Sequence, residues 1–218
     1  MRKAFFLAIL FYLACSGSSS FGIISSNAQV SSLADAIDEV SPEQRDAMEW
    51  LITHMPEADL KNLSIEYLTQ NSEYAFKAKN KFSWAKTLPD EIFLNYVLPY
   101  SSLNERRDKW RQDFFYKFSP IVTNAKSAYE AAAILNNEIF EILGVEYSTK
   151  RPKADQSPYE SIDAGLASCT GLSFLLIDAC RSVGIPARFV GTPMWYNDSG
   201  NHSWVEIWDG KWHFTGAA

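Results

Sequence analysis

Cysteine is scarce in this chain of 218 residues: Cys15, Cys169 and Cys180 are all it has. So few thiols exclude a disulfide-framed scaffold. Basic charge is also short, with 20 Lys and Arg against 26 Asp and Glu and a formal net charge of −6. That excludes the electrostatic footprint of a nucleic-acid binder. The one basic cluster, Arg106-Arg107-Asp108-Lys109-Trp110-Arg111, is interrupted by acid and reads as a solvated helix face. The spacing of His202 and His213 with Cys169 fits no standard zinc pattern, and no cofactor is expected. Repeats and low-complexity tracts are missing. What remains is 47% apolar and 21% charged, a globular composition long enough for one medium domain or two small ones. Aromatics reach 14%, with seven Trp, enough to furnish a substrate-binding surface as well as a core.

The first residues read as an export signal. Met1-Arg2-Lys3 is basic, and residues 4–14 (AFFLAILFYLA) form an apolar run too short to span a bilayer comfortably. Two processing sites compete. Tyr12-Leu13-Ala14-Cys15 resembles a bacterial lipobox, which would place a lipid on Cys15 ahead of a polar tether. Ser26-Asn27-Ala28 is a small-x-small cleavage pattern. The lipoprotein reading is preferred. Residues 1–28 are therefore assigned to signal and tether, and the chain to the periplasm or cell surface. One acyl chain binds membranes only weakly.

Residues 29–120 read as a helical N-terminal region without a motif that carries chemistry. Ser41-Pro42-Glu43-Gln44 opens a helix carrying Ala47, Met48, Leu51 and Ile52, which Pro56 stops. Further helices are predicted from residues 64–67 to 78, over 89–98, and from about 104 to 118. Residues 121–218 read as a mixed core. A helix spans Ser127 to Leu143 and ends at Gly144, and residues 148–160 are a polar loop. A second helix starts near Cys169 and is closed by Gly184. Strands follow at 187–191, 203–208 and 211–215, the last two joined by a two-residue Asp209-Gly210 turn. In that register Glu206 faces His213, Trp204 faces Thr215 and His202 faces Ala217.

Cys169 at a helix start meets orphan amides and the positive dipole end, which favour a thiolate. Ser168, Thr170 and Gly171 leave its sulfur sterically open. Cys180, deep in the same helix, reads as an inert core residue. Three helical turns separate the two by roughly 16 Å of rise. A disulfide needs Cα atoms within about 7 Å, so they cannot pair. His202 is the natural base for a thiol near neutral pH.

Cys169 at its helix start, then Gly184-Ile185-Pro186-Ala187-Arg188-Phe189-Val190, then Asn201-His202-Ser203-Trp204-Val205-Glu206-Ile207-Trp208 resemble the transglutaminase-like superfamily, over residues 125–218. That superfamily is papain-related. The resemblance implies an α+β fold in which a catalytic helix packs on an antiparallel sheet, with Cys169 as nucleophile and His202 as base. The family's orienting acid would stand at Gly216, where there is no carboxylate. Thr215 could accept from the imidazole, an acid could follow Ala218, or the site could be inactive. Trp195, Tyr196 and Trp204 are candidates for lining the cleft. The expected activity is amide hydrolysis or acyl transfer on a peptide or glycopeptide through a thioester. The alternatives are an inactive binding or scaffold module and a glycan-binding or glycan-processing protein.

Overall fold

The structure is a computed structural model that describes residues 33–196 and 200–217. The export signal, Cys15 and residues 197–199 lie outside the described residues. The fold is α+β. Ten helices in chain order run α1 (33–39), α2 (Arg45–His54), α3 (Glu57–Asn62), α4 (Ile65–Lys81), α5 (Ser83–Lys86), α6 (Asp90–Tyr96), α7 (Trp110–Phe118), α8 (Ala128–Leu143), α9 (Pro158–Ala164) and α10 (Cys169–Ser182) among the described residues. Two short strands, β1 (Glu146–Tyr147) and β2 (Leu166–Ala167), pair in parallel. The main sheet, in order β3-β4-β5, is antiparallel: β3 (Ala187–Thr192), β4 (His202–Trp208) and β5 (Trp212–Thr215).

Local signals explain several boundaries. The Ser127 hydroxyl accepts from the Glu130 amide at the start of α8. Gly144, at φ 66°, ends that helix, and the Val145 amide returns to the Phe140 carbonyl. Two expectations shift. The polar loop expected over 148–160 gives way at Pro158 to α9, started by a capping box of Ser157 and Glu160. The helix expected from about 104 begins only at Trp110. The Glu105 carboxylate there accepts from the Ser102 and Leu103 amides, and Arg107 donates to Asp59 and to the carbonyls of Leu103 and Glu105. Those bonds hold residues 102–108 in an irregular turn.

The centre of the molecule is α10, buried continuously from Gly171 to Ser182. One hydrophobic core gathers around it from both sides of residue 120: Phe82, Trp110, Phe114 and Phe118 together with Leu135, Leu176, Val205 and Ile207. The Trp84 indole also donates to the Val183 carbonyl at 3.0 Å. A second cluster, including Met48, Leu51, Leu68 and Phe93, holds the first helices together.

Three ionisable side chains buried beside this core are Arg111, Arg181 and Asp178. The Arg111 and Arg181 guanidiniums are solvated by backbone carbonyls. Asp178, also on α10, has neither carboxylate oxygen hydrogen-bonded among the described residues. Burial pushes its carboxyl well above the ordinary range, against the pull of Arg181 and Arg111. An acid whose folded pKa is raised stabilises the fold at low pH, and that contribution fades as pH climbs above the unfolded value of about 3.9. Asp178→Asn is therefore expected to gain on wild type by up to about 1.4 kcal/mol per pH unit above about pH 4. Urea unfolding of both proteins across that range checks it, and a difference that stays flat with pH would remove the claim.

Candidate functional site

The first turn of α10 is organised by Ser168. Its hydroxyl accepts from the Thr170 and Gly171 amides at 3.1 Å each and donates to the Ala154 carbonyl. Its carbonyl accepts from the Leu172 amide at 2.9 Å. Of the first four helix amides, only that of Cys169 stands outside this cap. The Ser173 hydroxyl donates to the Cys169 carbonyl at 2.7 Å. A side chain at Gly171 would meet the Ala167 Cβ at 3.1 Å and the Ser161 Oγ at 3.2 Å, so the helix start is packed closely from below. The Cys169 thiol is half-buried and free. Cys180 is free and fully buried, and burial pushes its thiol strongly up.

An open cavity of about 480 Å³ is lined by Cys169 and His202, together with Tyr147, Leu172, Trp195, Asn201 and Ala217. Among the described residues no hydrogen bond joins Cys169 to His202; they share the cavity rather than touch through a bond. Nucleophile–base pairs are often this loose until substrate draws them together. His202 opens β4 opposite Thr192. Its ring meets Trp195 edge-on at 4.5 Å and lies 6.3 Å from Trp204 at an interplanar angle of 28°. One residue further along each element, the Thr170 and Ser203 hydroxyls are 3.3 Å apart.

The sequence expectations about the sheet need one correction. The hairpin pairs Trp208 with Trp212, Ile207 with His213, Glu206 with Phe214 and Val205 with Thr215. The connection is therefore three residues, Asp209-Gly210-Lys211, closed by the Asp209 amide on the Lys211 carbonyl with Gly210 at φ 75°. A shift of one residue exchanges the faces of β5. Trp212 is held on the outer face by the Arg188 guanidinium, 3.9 Å from its ring centroid, and by Tyr96 at 4.6 Å. Thr215 thus falls beside Val205, whose side chain is in the core, and not on the face of His202. Its hydroxyl donates to the Gly216 carbonyl at 3.3 Å. Nor does His213 meet Glu206: it rests against Tyr129 at 5.0 Å, while Arg188 grips Glu206 with two bonds.

Of the three aromatic candidates, Trp195 lines the cavity. Its amide donates to the Gly200 carbonyl at 2.7 Å, which closes the loop between β3 and β4. Tyr196 is 87% exposed and touches Trp195, not the cavity. Trp204 stands behind His202, next to Phe214, and its buried indole N–H has no partner among the described residues. Tyr147 was not anticipated. It reaches the cavity because β1 pairs with β2 and sets Tyr147 opposite Ala167, a long-range pairing without a local signal. Among the described residues no three His, Cys, Asp or Glu side chains gather to hold a metal ion, and no helix is long and apolar enough to cross a membrane.

Comparison with known proteins bears on this arrangement. Residues 118–215 match the sequence profile of the Transglutaminase-like superfamily. No curated protein matches the sequence significantly. A crystal structure of a candidate cysteine protease from Cytophaga hutchinsonii is similar, with a TM-score of 0.48 and 18% identity. The similarity covers 63% of this chain and 45% of that one, so this chain spans less than half of that protein's length. Residues 118–215 of this chain are thus similar to the transglutaminase-like superfamily, a match that supports at most a Cys-dependent hydrolase or acyltransferase type.

Proposed function

We propose that this protein is an exported Cys-dependent amide hydrolase acting on peptides or glycopeptides. The observation that carries the reading is the shared cavity: a thiol at a helix start and an imidazole from a separate sheet open onto the same space. His202 takes the Cys169 proton as the sulfur attacks the substrate carbonyl carbon. The oxyanion that forms lies near the helix start, where the Cys169 amide is the donor left outside the Ser168 cap. Protonated His202 then gives its proton to the departing amine, leaving a thioester. Water, deprotonated by His202, hydrolyses the thioester and releases the thiol. Trp195 and Tyr147 wall the cavity and would contact the bound substrate. Export rests on the basic start and the apolar run of residues 4–14, and membrane attachment on a lipid at Cys15.

One observation favours the rival reading, an inactive scaffold: no carboxylate lines the cavity among the described residues. Thiol labelling separates the two. In the folded enzyme at neutral pH, iodoacetamide should modify Cys169 at least about a hundredfold faster than Cys180. That advantage should collapse in His202→Ala. Equal and slow labelling of both cysteines, indifferent to His202, would leave only the scaffold. Peptide mapping by mass spectrometry reads each site separately.

A further inference from the structure

Two hydroxyls sit one residue beyond each member of the Cys–His pair. Thr170 follows Cys169 on α10, and Ser203 follows His202 on β4. Their Oγ atoms are 3.3 Å apart, and Ser203 is only 5% exposed. Among the described residues this is the one hydrogen bond between α10 and β4. Everything else that holds the helix to the strand is apolar packing, such as Leu176 against Val205 and Ile207 in the same core. Such packing is non-directional and tolerates sliding. A hydroxyl pair does not, because its energy falls steeply with distance and angle. At 3.3 Å the contact already exceeds the common O–H···O range by a few tenths of an ångström, so small shifts of helix against strand make or lose it.

We propose that the Thr170–Ser203 hydroxyl pair is the positioning device that sets the approach of Cys169 and His202. The proposal rests on the nucleophile–base reading of those two residues. Side chains alternate along a strand, so Ser203 and His202 leave opposite faces of β4, Ser203 toward Thr170 and His202 into the cavity it shares with Cys169. The bridge therefore anchors the backbone next to the base and leaves the imidazole free to face the cavity. Neither hydroxyl meets the reacting atoms, and both act through their neighbours. Any 1 Å error here falls directly on the sulfur–imidazole distance, where such errors cost rate heavily.

The test is the pH dependence of Cys169 alkylation by iodoacetamide in the intact protein. Wild type should be alkylated faster than His202→Ala near neutral pH, because the imidazole takes up the thiol proton. Thr170→Val and Ser203→Ala should each move the profile toward that of His202→Ala, with at least about a tenfold loss of rate near pH 6.5. The double variant should be no slower than either single, because both remove one contact. Thr170→Ser keeps the hydroxyl and should restore the wild-type profile. Profiles of Thr170→Val and Ser203→Ala that match wild type, while His202→Ala does not, would overturn the bridge alone. Losses that multiply in the double variant would do the same. A wild-type profile unaffected by His202→Ala would overturn the nucleophile–base reading and the bridge with it.

Discussion

Replacing Cys169 with alanine is expected to lower amide hydrolysis by at least about 10⁴-fold in kcat, with the fold intact. Alanine at this first helical position loses no structural bond, because the Ser168 hydroxyl takes its amides from Thr170 and Gly171. What disappears is the sulfur that the proposed mechanism uses to form the thioester. His202→Ala should cost nearly as much, and the double variant little more, because residues that act as a unit are not additive. New amino termini released from a mixed peptide pool, counted by mass spectrometry, measure the rate. Residual hydrolysis within about tenfold of wild type would assign the activity to another group or to a contaminant.

Arg111→Met is expected to destabilise the protein by about 4 kcal/mol or more. The guanidinium is buried and lies 4.5 Å over the Trp110 ring. It donates to Asn71 Oδ1 at 2.6 Å and to the carbonyls of Val97, Leu98, Pro99 and Arg181 at 2.8 to 3.2 Å. One side chain thus joins α4, the loop after α6 and the C-terminal end of α10. Burial pushes it down only to about 9, so it stays charged at neutral pH. Methionine fills the space but leaves those carbonyls buried without a donor, and each such loss costs about 1–3 kcal/mol. Arg111→Lys should rescue little, because one ammonium cannot reproduce the planar fork. Thermal and urea unfolding, followed by tryptophan fluorescence, read the change. A drop of less than about 1 kcal/mol would show that the network is held elsewhere.

Much of the fold was legible locally. Ser127 and Gly144 bracketed α8, Ser64 announced α4, and Cys169 was read correctly as standing at the start of a buried helix. These rest on caps, glycine turns and helical periodicity, which act over three or four residues. The capping box at Ser157 was present in the sequence, yet Pro152, Pro158 and the polar neighbours concealed it within an apparent loop. The segment before Trp110 carried good helix formers. Bonds from Glu105 and Arg107, including one to Asp59 far away in sequence, overrode that propensity.

The candidate site divides the same way. Residue type and order pointed to Cys169 and His202 and to the family that the profile match supports. The hairpin register did not follow from Asp209-Gly210, since turn chemistry is indifferent to the Arg188 and Tyr96 contacts that hold Trp212 outward. That single residue of shift moved Thr215 away from His202.

The chain by itself determined where helices begin and end, and that a thiol would be presented at one of those beginnings, because hydrogen bonds between near neighbours decide such things. Only the tertiary structure decided what surrounds that thiol: Tyr147 beside the cavity, Trp195 against the imidazole, and Ser203 across from Thr170. Those placements depend on strand pairing and core packing between distant segments, whose energies no local pattern encodes.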